Sequence, residues 1–221
     1  MNPIIFTCYN HLIDEKIIDY QRQVVEKFTK IPFISLKYGF TLDTMSHGDL
    51  LNHAASKLFY YQGADAVLIL DVDAVPLSAE AVEKTFDLAY SGALVGNIQK
   101  ANHLPTDKTY VAPSYMCFTR ILYEYAGSPT MNESNITDVG GRFSINCERY
   151  NIPMVKFMPI LSEAPVDDTG KMWGLGEGLP TYGHGTTFAH EGVPMSYHLF
   201  NSVRNTHNEL FYKKCEELLS L

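Results

Sequence analysis

One short segment constrains the fold of this chain more than any other. Five aliphatic residues, Ala66-Val67-Leu68-Ile69-Leu70, run directly into Asp71, Val72 and Asp73. An unbroken apolar run of this length predicts a strand buried on both faces, as in a parallel sheet. Because strand side chains alternate, Asp71 and Asp73 are expected on the same side, just where the strand ends. Pro76 predicts that the chain then leaves the sheet, and Ser78 is placed to cap the next helix.

The two carboxylates define a candidate metal site. Carboxylate oxygens are ligands that Mg²⁺ and Mn²⁺ prefer, and ligands of open α/β sheets bind at the carboxyl ends of the strands. The formal net charge of −8 disfavours a nucleic-acid partner. An acidic protein that binds a phosphorylated ligand needs a cation between the like charges. A turn with two solvated aspartates is the alternative.

Strand and helix patterns alternate along the first half of the chain. Strands are predicted over 3–7, 33–36 and 66–70, and helices over 14–30, 47–63 and 79–90. This alternation is typical of a doubly wound α/β sheet. Neither GxGxxG after the first strand nor GxxxxGK[ST] occurs, so neither a dinucleotide fold nor a P-loop is indicated.

The second half is less regular. Strands are predicted over 93–97, 111–118, 154–157 and 195–200, and helices over 138–150 and 208–219. Between them, the glycine-rich segment 162–187 predicts a long loop of functional importance.

The cysteines and the start of the chain bear on location. The four cysteines form no CxxC pair, which favours reduced thiols; they are Cys8, Cys117, Cys147 and Cys215. No signal peptide is recognisable at the first residues, and no apolar run approaches the roughly 18 residues of a membrane span. We therefore expect a cytoplasmic protein without a transmembrane segment.

The Asp-x-Asp sequence after the third predicted strand resembles that of glycosyltransferases of the GT-A fold. The segment 197–204, Tyr-His-Leu-Phe-Asn-Ser-Val-Arg, resembles the region where many of these enzymes supply a further metal ligand. More loosely, the chain looks like soluble bacterial or viral sugar transferases, including those of large algal viruses. The resemblance implies a GT-A-like α/β fold, a doubly wound mixed β-sheet flanked by helices. It implies a single domain of two abutting halves, with 1–100 binding the nucleotide sugar and 101–221, including a flexible loop over 162–187, on the acceptor side.

The resemblance also implies a set of ligands. Mn²⁺ or Mg²⁺ would bridge the phosphates of a nucleoside-diphosphate sugar, a UDP-sugar being favoured. Asp73 would bind the metal directly, Asp71 would contact the ribose or the metal through water, and His198 would be the third protein ligand. Arg204 would pair with phosphate. The acceptor would be a hydroxyl of a glycan, glycoprotein or other molecule. His198 as a core histidine and Arg204 as a solvated side chain are the alternatives.

Further residues are candidates for the donor. Thr7, Tyr9 and Asn10 end the first strand, where such enzymes hold the base and ribose. Gly48 and Asp49, at a helix start, are candidates for the same role. Tyr9 as a surface aromatic and Asp49 as a helix cap are the alternatives.

The predicted loop 162–187 supplies candidates for substrate contact. Asp167, Asp168, Trp173 and His184 are expected to form a lid that orders on donor binding and excludes water. Trp173 is a candidate platform for a sugar face; its alternative role is to pack against the loop.

Asp138 is the candidate catalytic base. An inverting transferase needs a carboxylate that takes the proton of the acceptor hydroxyl, and the resemblance places this residue at the start of a helix. Gly140 and Gly141 are expected to leave room for substrate beside it. The alternative role of Asp138 is to cap the helix.

Two other functions fit an Asp-x-Asp after a buried strand. Haloacid-dehalogenase-like Mg²⁺-dependent phosphatases share it, although here the motif lies about a third of the way along the chain and no later Gly-Asp with a further Asp follows a strand. An inactive nucleotide- or sugar-binding module is the other alternative, and the intact carboxylate pair argues against it.

Overall fold

A nine-stranded mixed sheet runs through the part of the chain that the structure, a computed structural model, describes: residues 1–38, 46–200, 202–204 and 206–221. Its strands are β1 (Pro3–Tyr9), β2 (Phe33–Lys37), β3 (Ala66–Leu70), β4 (Ala74–Pro76), β5 (Leu94–Lys100), β6 (Thr109–Thr119), β7 (Met154–Ala164), β10 (His184–His190) and β11 (Val193–His198). Their spatial order is β2-β1-β3-β6-β5-β7-β10-β11-β4. Two shorter strands, β8 (Trp173–Gly174) and β9 (Thr181–Tyr182), pair separately.

The helices pack against this sheet. They are α1 (Glu15–Phe28), α2 (His47–Tyr61), α3 (Ala79–Tyr90), α4 (Arg120–Tyr125), α5 (Gly141–Arg149) and α6 (Asn208–Ser220), with a 3₁₀ turn at Ser202–Arg204. Side chains cap the first three: Asp14 accepts from Lys16, Ser46 from Asp49 and Ser78 from Ala81. Among the described residues no helix is long and apolar enough to cross a membrane.

β3 lies at the centre of the first part of the sheet. It pairs in parallel with β1 on one side and antiparallel with β6 on the other. β1 in turn pairs in parallel with β2. All five of its residues are buried, as the apolar run predicts. The expected fold class, a GT-A-like α/β arrangement of a mixed sheet flanked by helices, is confirmed. The assignment of 1–100 to the donor and 101–221 to the acceptor stays a prediction.

The prediction of a loop over 162–187 is wrong for much of that segment. β7 continues to Ala164, and β10 pairs antiparallel with both β7 and β11. These hydrogen bonds join segments distant in sequence, so local glycine content did not indicate them.

A short edge strand follows the carboxylates. β4 pairs antiparallel with β11, so that His198 lies opposite Ala74 and Ser196 opposite Pro76. Proline is tolerated because β4 is the last strand in the order. This pairing sets His198 beside Asp73.

Candidate metal centre

The structure brings the three expected metal ligands together. One ligand atom each from Asp71, Asp73 and His198 lies within 4.8 Å of the others. His198 Nε2 is 3.1 Å from Asp73 Oδ1 and 3.5 Å from Asp71 Oδ2. The carboxylates follow β3 and the imidazole ends β11, so the cluster forms only when both parts of the sheet are in place.

Asp73 is held firmly in this cluster. It is 4% exposed, and its Oδ2 accepts the backbone N–H of Ser202 at 3.2 Å. Burial raises the pKa of Asp73, but the charge and hydrogen bond of His198 and the hydrogen bonds from Ser202 outweigh it, so the pKa lies below its ordinary value. The side chain is therefore an ionised carboxylate near neutral pH.

The pKa of Asp71, in contrast to that of Asp73, lies above its ordinary value. Burial raises its pKa, and the nearby Asp73 and Asp138 add to this, while His47 and His198 oppose it. His47 Nε2 lies 3.6 Å from Asp71 Oδ1. Sequence reasoning missed His47, although it directly precedes the Gly48-Asp49 pair that was singled out.

The cluster fits a divalent cation. Its donors are two carboxylate oxygens and one imidazole nitrogen, a set that suits hard to borderline divalent ions. Separations of 3.1 and 3.5 Å between donor atoms suit ligands that share one ion at about 2.1 Å. Asp71, Asp73 and His198 can therefore hold a metal.

The cluster opens into a cavity of about 440 Å³, here called the carboxylate cavity. Tyr9 and Asn10, the candidates for contact with a base and ribose, line this cavity, and so does Gln99, which sequence reasoning missed. Thr7 does not line it. Thr7 is fully buried, and its strand β1 pairs with β2 on one side and with β3 on the other.

Gly48 and Asp49 face away from this cavity. Asp49 and Ser46 form a capping box: the Asp49 carboxylate accepts from the Ser46 backbone N–H, and the Ser46 hydroxyl accepts from the Asp49 backbone N–H. Asp49 also accepts a hydrogen bond from Asn132 Nδ2 at 2.7 Å. A Cβ on Gly48 would lie 2.5 Å from Asn132 Cα. The expected ligand role of this pair is therefore not supported, and the alternative, a helix cap, is what the structure shows.

Asp138 lines a second cavity of about 510 Å³, here called the indole cavity, together with Trp173. The two cavities share Gln99 and Phe200 as walls. Asp138 Oδ1 accepts from the Val139 N–H at 2.8 Å, and Oδ2 accepts from Tyr110 Oη at 3.3 Å. Asp138 thus lines a cavity that adjoins the one containing the candidate metal centre.

Two expectations about the Asp138 segment are wrong. The helix begins later than predicted, at Gly141, and its cap residue is Gly140 rather than Asp138. The two glycines leave no room for substrate, because a Cβ on Gly141 would overlap Thr137 Oγ1 and one on Gly140 would crowd Met116. They serve close packing.

The four lid candidates separate into two groups. Trp173 lines the indole cavity, whereas Asp167, Asp168 and His184 line a third cavity of about 440 Å³. His184 is buried, and its Nδ1 lies 3.2 and 3.1 Å from the carbonyl oxygens of Leu199 and Phe200. Asp167 and Asp168 therefore lie in a different cavity from Asp71 and Asp73, which disfavours the phosphatase alternative.

Phe200 connects the metal centre to the indole. Its ring centroid lies 3.7 Å from that of His198 and 5.1 Å from that of Trp173. Its φ of 67° is in the left-handed region, which is strained for a bulky residue and is found most often at functional sites. The side chain of Arg204, expected to pair with phosphate, lies outside the described part of the structure.

Comparisons with known proteins give only distant similarity. No family model and no curated protein sequence matches the chain. One similar solved structure is a "putative nucleotide-diphospho-sugar transferase" from Desulfovibrio desulfuricans G20, with 10% identity, coverage of 70% of this chain and 79% of that chain, and a TM-score of 0.45. Another is A197 from STIV, with 14% identity, coverage of 70% and 80%, and a TM-score of 0.42. The assignment of function therefore rests on the geometry of the site.

Proposed function

We propose that this protein is a metal-dependent glycosyltransferase that moves a sugar from a nucleoside-diphosphate sugar to an acceptor hydroxyl. The observation that supports this most is the convergence of Asp71, Asp73 and His198 in a cavity at the end of the buried strand β3. The carboxyl ends of such strands are where ligands of α/β sheets bind.

Asp71, Asp73 and His198 would hold Mn²⁺ or Mg²⁺. When bound, the cation supplies positive charge for the departing nucleoside diphosphate. The carboxylates alone would repel a diphosphate, so nucleotide binding depends on the cation. Tyr9 and Asn10, which line the same cavity, would contact the base and ribose. We take a UDP-sugar as the first donor to test.

Asp138 is the proposed base. It lies in the adjoining cavity, and its negative charge raises the pKa of Asp71. Asp138 is therefore within electrostatic range of the metal centre but is not one of its three candidate ligands. The hydrogen bonds from Val139 and Tyr110 fix the carboxylate in position. From there it takes the proton of the acceptor hydroxyl as the new bond to the sugar forms.

Calorimetry with UDP tests the metal dependence. We expect UDP to bind in the presence of Mn²⁺ and to lose most of its affinity when EDTA is added. Equal affinity with and without EDTA would contradict the proposal.

Hydrolysis separates transferase from phosphatase. Without an acceptor, a glycosyltransferase slowly hydrolyses its own nucleotide sugar to the nucleoside diphosphate. It leaves p-nitrophenyl phosphate intact. Turnover of that aryl phosphate by the wild-type protein, and its loss in Asp71→Asn, would favour a phosphatase instead.

A further inference from the structure

The indole cavity combines an aromatic platform with a polar rim. Trp173 is partly exposed and lines the cavity. Three rings contact it at interplanar angles of 49° (Tyr182), 61° (His184) and 64° (Phe200). None of these contacts is a parallel stack. Trp173 therefore keeps part of its surface open to the cavity.

Polar groups surround this indole. Asn102 donates to the Lys100 carbonyl at 3.0 Å and to Tyr182 Oη at 3.3 Å, which fixes its amide at the rim. Gln99 and Asp138 stand on the same cavity wall. An apolar face beside a few fixed hydrogen-bonding groups is the chemistry that recognises a pyranose, whose ring has a C–H face and a rim of hydroxyls.

The charged groups of the cavity do not favour an anion. Lys100 Nζ is already in an ion pair with Asp107 at 2.9 Å. Lys171 and Asp138, which carry opposite charges, both line the cavity. A phosphate or carboxylate on the ligand would be repelled by Asp138, so a neutral ligand fits best.

We propose that the acceptor hydroxyl is carried by a neutral pyranose that stacks on Trp173. This deepens the proposed function and rests on it. The sugar lies in the indole cavity, with its reacting hydroxyl toward Asp138 and toward the edge, at Gln99 and Phe200, where this cavity adjoins the carboxylate cavity.

Tryptophan fluorescence tests the proposal directly, because Trp173 is the only tryptophan of the chain. The probes are the methyl β-glycosides of glucose and galactose and the methyl α-glycoside of mannose. Each is titrated to about 50 mM, so that a dissociation constant in the millimolar range is detected, with and without UDP and Mn²⁺. We expect a saturable emission change with at least one pyranoside.

Two compounds define the class of ligand. Sorbitol has the hydroxyls without the ring, and glucuronate adds a negative charge; both should leave the emission unchanged over the same range. No saturable change with any pyranoside in either condition would overturn the proposal. So would an equal response to sorbitol, or tighter binding of glucuronate than of the neutral sugars.

Variants place the binding at the indole. For the pyranoside that responds, calorimetry should show at least about tenfold weaker binding in Trp173→Leu and near wild-type binding in Trp173→Tyr, which keeps a flat ring. Tyr61→Leu is the matched control, since Tyr61 is 86% exposed and belongs to α2. If Trp173→Leu does not fold, the wild-type titrations still decide.

The two proposals fail separately. UDP binding with Mn²⁺ but no pyranoside response leaves the transferase and removes the neutral-sugar acceptor. A pyranoside response without Mn²⁺-dependent UDP binding leaves a sugar site and contradicts the transferase.

Discussion

Two cavities at opposite ends of the same strand differ in size and in chemistry. At the amino end of β3 lies an apolar cavity of about 770 Å³, lined by Tyr90, Tyr125 and Tyr150 among others. At the carboxyl end lies the carboxylate cavity, of about 440 Å³. The larger cavity holds no cluster of metal ligands among the described residues, whereas the smaller one holds Asp71, Asp73 and His198.

The aspartates at the two ends of β3 differ in what their carboxylates contact, which explains why only one end holds a cluster of metal ligands. Asp65, directly before the strand, accepts hydrogen bonds from Tyr90 Oη at 2.6 Å and from the backbone N–H of Asn2 at 2.8 Å, so its carboxylate is used in local structure. Asp71, directly after the strand, faces other ionisable groups instead. Convergent charge rather than cavity volume marks the candidate site.

The strongest test of this comparison exchanges a carboxylate at each end for an amide. Asp73→Asn should weaken Mn²⁺-dependent UDP binding by at least about 100-fold, since loss of even a residue that only hydrogen-bonds to a metal ligand can weaken metal binding by up to about 100-fold. Asp65→Asn, the matched control, should bind UDP as the wild type does. Calorimetry measures both. Equal losses of UDP affinity in the two variants would show that UDP binding does not depend specifically on the carboxyl end of β3.

Asp138→Asn distinguishes an effect on the rate of sugar transfer from an effect on UDP binding at the carboxyl end of β3. The amide keeps the shape and loses the basicity, so the rate of sugar transfer should fall by about 10²-fold or more. UDP affinity with Mn²⁺ should stay unchanged. Steady-state kinetics and calorimetry on one preparation give both values. A wild-type transfer rate would exclude Asp138 as the base and point to a different mechanism, including a retaining one.

Adding Mn²⁺ tests whether metal binding at Asp71, Asp73 and His198 stabilises the whole fold. At about 100 times its Kd, Mn²⁺ should add about 2.7 kcal/mol to the free energy of unfolding, because it binds the native state. His198→Gln, which removes one ligand, should gain much less at the same concentration. Urea unfolding with Mn²⁺ or EDTA measures the difference. An equal gain in wild type and variant would place Mn²⁺ elsewhere.

The smallest expected effect lies at the apolar end. Tyr90→Phe removes the hydrogen bond to Asp65 and should cost about 1 kcal/mol of stability. UDP affinity should not change. Urea unfolding and calorimetry check the two halves of this expectation, and a clear loss of UDP affinity would mean that the two ends are not independent.

The parts of the site that local pattern determines were predictable. The apolar run and the in-phase Asp71 and Asp73 lie within eight residues, and the structure places both side chains in one cluster. The prediction that His198 is a metal ligand depended on the resemblance to GT-A glycosyltransferases, because nothing near His198 in the sequence shows that β11 pairs with β4. His47 and Gln99 come from still other elements, so only the fold brings them to the cavity.

Where prediction was wrong, competing local hydrogen bonds or distant pairing decided the outcome. Ser46-His47-Gly48-Asp49 is itself a capping-box pattern, which turns Asp49 toward the helix start. Thr7 was assigned to the right strand, but it is fully buried and does not line the carboxylate cavity. The strand β10 depends on partners on both sides, and no periodicity of its own indicated it.

Phe200 gives the molecule a property that neither cavity has alone. Its ring contacts both the imidazole of His198 and the indole of Trp173, and it lines both cavities, so a shift of this ring would alter both cavities together. Two ligands that each shift this ring would be thermodynamically linked, and linkage is reciprocal. In the proposed reaction, the factor by which UDP and Mn²⁺ change the affinity for the acceptor would equal the factor by which the acceptor changes their affinity.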